Sequence, residues 1–121
     1  MANVPKFTAC SEYAGLLPSG ALDRTATLTS NAATSIALGP VTTQHNRELV
    51  FYYFFNGVTQ GSYCDWNDNL RAHTYLFSSV CDFVQYTAGQ VAPVVYLPGT
   101  GNPVGGLLAT FRLSDAPLQV K

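Results

Sequence analysis

The chain has 121 residues and a mass of 13.0 kDa, one domain's worth of protein. Charged residues make up 11% of it, under half of the usual ~25%, and the net charge is −1. That balance excludes disorder by self-repulsion and removes the counterion-release term of nucleic-acid binding, while no apolar run approaches a membrane span.

Thr, Ser, Asn and Gln replace the missing charge, 32 residues of 121 together. A surface of this kind is cheap to desolvate against another protein, because interface cores are poor in charge and rich in aromatics. Seven Tyr, seven Phe and one Trp match that pattern. The composition therefore predicts an assembly module.

Helix is opposed almost everywhere. The chain has only two Glu and two Lys, and Thr, Val, Tyr and Phe fill its apolar segments. Residues 1–24 read as an extended N-terminal arm with a possible edge strand near Phe7–Cys10, followed by one β-domain over 25–121. Thr25–Ser30 alternates through Ala26 and Leu28, and Thr34–Leu38 does so through Ile36 and Leu38 until Gly39-Pro40 stops it. Glu48–Asn56 is apolar at nearly every position, which marks a strand covered on both faces. Asn56-Gly57 is a hairpin turn signal, with Val58–Tyr63 as the return strand.

Beyond the polar loop 65–69, His73–Gln85 reads as one long strand. Val91–Leu97 is a strand interrupted by Pro93. A Gly- and Pro-rich loop over 97–106 then leads into a last strand, Leu107–Leu113, and a tail from Ser114. The predicted fold is all-β, an antiparallel sandwich or jelly roll. Phe51, Tyr53, Phe55, Tyr75, Phe77 and Phe83 are expected at its centre.

Tyr75-Leu76-Phe77-Ser78, Thr87-Ala88-Gly89-Gln90-Val91 and Gly105-Gly106-Leu107-Leu108-Ala109-Thr110-Phe111 carry a resemblance. Together they resemble the jelly-roll heads of the C1q and tumour-necrosis-factor superfamily, over about a third of the chain. Gln90 stands where that family usually has Asp, and Val104 where Phe often precedes the Gly. The resemblance implies a homotrimer packed through aromatic strand faces. Such heads also occur in bacteriophage capsid decoration proteins and tail-fibre tips. Met1–Lys6 carries no basic-then-apolar leader, which predicts assembly in a host cytoplasm.

The function expected is that of a virion component, a decoration (cement) protein on the outside of a phage capsid that bridges major capsid subunits. The alternative is a tail-fibre or tail-tip head that contacts host glycan through Trp66. Val4, Phe7, Tyr13, Leu16 and Leu17 are the apolar anchors of the arm, expected to pack outside their own domain on a neighbouring copy or the shell. Trp66 is the further candidate contact.

Catalysis is not expected. No Gly-x-Ser-x-Gly elbow, His-Glu-x-x-His helix or phosphate-binding Gly loop occurs, and no cofactor is implied. Asp65-Trp66-Asn67-Asp68-Asn69 has the start of a calcium loop, but Leu70 and Leu76 replace its Gly and its Glu. A polar turn is the expectation there, and no metal. Cys10, Cys64 and Cys81 lack CxxC spacing and are read as reduced thiols packed as small hydrophobes, in keeping with a reducing compartment.

Overall fold

The structure is a computed structural model that describes residues 10–32, 35–56, 64, 68–74, 78–96 and 102–120. These residues form strands and no helix: β1 (Tyr13–Ala14), β2 (Leu22–Ala32), β3 (Ser35–Ala37), β4 (Val41–Thr42), β5 (Glu48–Asn56), β6 (Asn69–Thr74), β7 (Ser78–Gln85), β8 (Gln90–Val91), β9 (Val94–Tyr96), β10 (Asn102–Arg112) and β11 (Gln119–Val120). The fold is all-β with antiparallel pairing throughout.

One five-stranded sheet, in the order β2-β10-β5-β7-β6, sets the first long strand beside the last. A second, narrower layer pairs β3 with β9 and β4 with β8. Pro93 divides β8 from β9, and its carbonyl accepts from Leu38 N–H at 2.9 Å. Leu38, Val91 and Val95 from this layer meet Val50, Tyr52, Phe54, Cys81 and Leu108 from the large sheet in one buried core. Gly106 marks the close approach of the layers, since a Cβ there would stand 2.7 Å from Leu38 Cδ2 and 3.2 Å from Tyr53 O.

The central residues differ from expectation. Tyr52 and Phe54 are fully buried, whereas Phe51 and Tyr53 are half-buried and Phe55 is 44% exposed. β5 is apolar on both faces, so alternation cannot say which one looks inward. The second layer, supplied by distant segments, makes that choice. Phe83 packs on the edge of the core, while Tyr75 and Phe77 lie outside the described residues.

His73–Gln85 is not one strand. β6 and β7 are antiparallel neighbours, so the chain has reversed by Ser78, although no Gly or Pro announces it. Gly105 and Gly106 lie within β10 and not in a loop, which extends the last strand back to Asn102. Val58–Tyr63 falls outside the described residues.

The cysteine expectation is also corrected. Cys64 and Cys81 form a disulfide with their Cα atoms 6.5 Å apart, within bridging reach, and Cys10 is free and exposed. Reduced thiols therefore no longer argue for a reducing compartment.

Candidate functional site

The outer face of the five-stranded sheet is built by rows of facing residues. Register places Thr27, Leu107, Tyr53 and Val80 in one row, and Thr29, Gly105, Phe55 and Ser78 in the next. Thr25, Ala109, Phe51 and Asp82 form a third. Without a side chain, Gly105 leaves room for the Phe55 ring, which a Cβ there would overlap. Tyr53 and Phe55 stand with ring centroids 6.4 Å apart. Phe55 and Leu107 are 44% and 40% exposed, and the three Thr are exposed beside them. The first two rows hold no ionisable group except the Tyr53 phenol.

The third row is covered at Phe51 and Asp82 by the chain's own N-terminal segment. β1 pairs with β11, Leu16 bridges Leu113, and Leu17 N–H donates to Arg112 O at 3.1 Å. Gly15 permits this docking, with φ +99° and Pro117 O 2.5 Å from where a Cβ would sit. The Tyr13 ring stands edge-on to Phe51 at 6.4 Å, and its hydroxyl donates to Asp82 Oδ2 at 2.6 Å. Tyr13, Leu16 and Leu17 thus pack against their own domain, contrary to the expectation of an arm held outside it. The β-ladder with β11 was not visible in the sequence because both strands are only two residues long. Val4, Phe7 and Trp66 lie outside the described residues.

Asp82 is 1% exposed and carries the polar load of this face. Arg71 Nε and Nη2 donate to its two oxygens at 2.6 and 3.0 Å, and Asn69 Nδ2 donates at 3.2 Å. Asn69 and Arg71, two positions apart on β6, reach Asp82 from one face, and the register shifts between Leu70 and Ala72. Burial and then the Asp82 hydrogen bond push the Tyr13 phenol well above its ordinary value. The hydrogen bond from Arg71 to Asp82 raises the guanidinium further. Asp68, from the polar loop, accepts from the hydroxyl of Tyr52 on β5, while residues 65–67 of that loop lie outside the described residues.

A second polar cluster lies on the opposite side of the sheet. Asp23 on β2, His45 before β5 and Glu48 at the start of β5 bring one ligand atom each within 4.8 Å of one another. His45 Nδ1 is 3.9 Å from Asp23 Oδ1 and 3.8 Å from Glu48 Oε1. Glu48 is fully buried and shares the inner face of β5 with Val50 and Tyr52. Among the described residues, neither its carboxylate oxygens nor His45 Nδ1 has a partner at hydrogen-bond geometry. Burial, reinforced by Asp23 and opposed by the Thr43 hydroxyl and then Arg112, pushes the Glu48 carboxyl up to about 7.

Two local devices build this cluster. Consecutive side chains on a strand normally point to opposite faces. Yet Asp23 accepts from Gln44 N–H at 3.0 Å while Arg24 Nε donates to Thr42 O at 3.0 Å, both on one loop. Asp23 is the extra residue of a bulge in β2, where Arg24 faces Thr110 and Leu22 faces Phe111, and this re-aims its side chain. Arg47, with φ 56°, turns the chain so that His45 returns over Glu48. Only the His45-x-x-Glu48 spacing was legible beforehand. In the described residues no helix is long and apolar enough to cross a membrane. No family model, no curated protein and no solved structure matches the chain.

Proposed function

We propose that this chain is a non-catalytic structural protein, a jelly-roll head that assembles as a homotrimer and decorates the outside of a phage capsid. The observation that carries the reading is the sheet face around Tyr53, Phe55 and Leu107, where Phe55 and Leu107 are exposed, Val80 and Ser78 are buried, and the two rows carry no charged side chain among the described residues. A second copy of the chain is the occupant that fits it. A face without charge meets its own kind with no like-charge repulsion, and a net charge of −1 adds almost none at longer range.

The connectivity supports the jelly-roll form, with β2 beside β10 in one layer and 35–42 against 90–96 in the other. Aromatic strand faces are also what the C1q-like resemblance implies as the trimer contact. Virion surfaces are among the settings where disulfides persist, which accommodates Cys64–Cys81. The major capsid protein would be the partner, bridged by repeated contacts of about 1,600 Å² each with avidity over three copies.

Light scattering on the purified chain tests the assembly directly. The expected mass is three times 13.0 kDa, falling to one copy in Phe55→Asp and Leu107→Lys, whose side chains are exposed enough for the fold to survive. A monomer at tens of micromolar removes the trimer. Copy number in imaged particles tests the location: hundreds per particle mean decoration, a few to tens mean a tail.

A further inference from the structure

Glu48 presents a problem that the assembly reading does not solve. A carboxylate taken wholly out of water costs several kcal/mol unless donors or a cation meet it. Among the described residues no donor meets its oxygens with hydrogen-bond geometry, although the Thr43 hydroxyl lies near enough to favour the charged form. The Thr43 hydroxyl, a natural candidate, gives its proton to Gly89 O at 3.1 Å and accepts from Gly89 N–H. Among the described residues the only basic side chain within 4.0 Å of Glu48 is the His45 imidazole, and at 3.8 Å that contact is too long for a hydrogen bond.

We propose that Asp23, His45 and Glu48 hold one divalent transition cation of the zinc type, through Asp23 Oδ1, His45 Nδ1 and Glu48 Oε1. Two carboxylates and an imidazole match the charge and the donor softness of such an ion. An imidazole ligand disfavours calcium and magnesium, which take oxygen. Zinc bonds of about 2.0–2.2 Å require neighbouring ligand atoms about 3.3 Å apart. The two contacts to His45 Nδ1, at 3.8 and 3.9 Å, need to close by about half an ångström each, and the two carboxylate oxygens, within 4.8 Å of each other, must draw in with them.

The surroundings suit a bound ion. Gln44 N–H holds Asp23 Oδ2, which leaves Oδ1 turned toward the imidazole. Glu48 is fixed by the β5 ladder between Arg112 and Gln85. The His45 side chain is 38% exposed while its Nδ1 is buried, so the ring separates the ligand atoms from water. Three protein ligands leave a coordination position for water. The ion would tie β2, the loop before β5 and the first residue of β5 together at one end of the core.

Calorimetric titration of the chelator-stripped full chain with zinc chloride tests this. One equivalent should bind per chain, in the wild type and in Cys10→Ser, which lacks the exposed free thiol. His45→Ala and Glu48→Gln should weaken binding by at least about 100-fold, the upper range seen when even outer-shell partners of a metal are removed. A cobalt-loaded wild-type sample guards against variants that unfold. It should show weak visible bands and no thiolate charge-transfer band. Absence of saturable zinc binding, equal affinity in the variants, a thiolate band, or calcium binding as tightly as zinc would each overturn the site.

Discussion

The Tyr13 hydroxyl donates to Asp82 Oδ2 at 2.6 Å across 69 positions of sequence, and this contact pins the N-terminal segment to the outer face of the sheet. Tyr13→Phe keeps the edge-on ring contact with Phe51 and removes only the hydroxyl. A hydrogen bond to a charged group contributes about 2 kcal/mol. Urea unfolding of Tyr13→Phe should show a lower midpoint by that amount with an unchanged slope. A midpoint equal to wild type would mean that water replaces the contact without loss.

Arg71 and Asp82 are unequal partners, with side chains 30% and 1% exposed. Removing Arg71 leaves a buried carboxylate with only Tyr13 and Asn69 among the donors found here. Removing the carboxylate charge leaves a guanidinium that reaches water. Arg71→Met should therefore cost about 3 kcal/mol, and Asp82→Asn clearly less. Equal losses in chemical denaturation would contradict the burial asymmetry.

Much of this architecture was legible before any coordinates. Glu48–Asn56 has the strand limits that its sequence suggests, because a continuous apolar run ends at Asn56-Gly57. Pro93 breaks its strand as its missing N–H requires. What stayed hidden depends on distant partners. The inner face of β5 is chosen by Leu38, Val91 and Val95, and the β6–β7 reversal carries no turn residue. Asp23 reaches its cluster through a bulge, which displaces a side chain by one position and leaves no compositional trace.

The Cys64–Cys81 bridge closes a loop of sequence separation 17 and joins the polar loop region to the core strand β7. Loop-closure entropy for that length gives about 3 kcal/mol of stabilisation. A thiol count on the unfolded, unreduced chain should find one cysteine, Cys10, and three after reduction. Reduction should lower the urea midpoint correspondingly. Three thiols before reduction would show that the bridge does not form.

Glu48 sets a pH dependence whose sign is fixed by its environment. Burial first, and the Asp23 charge second, lift its carboxyl from 4.5 to about 7, with Arg112 pulling the other way and His45 beside it. A group with a raised folded pKa contributes stability that is fully present below its unfolded value, here 4.5. That contribution is lost as pH rises through about 7, and amounts to about 3 kcal/mol. In chelator, the urea midpoint of the wild type should fall between pH 5 and pH 8. Glu48→Gln has no proton to lose and should flatten that fall while raising stability at pH 8. If the variant and the wild type decline in parallel, the buried carboxyl is not the group that titrates.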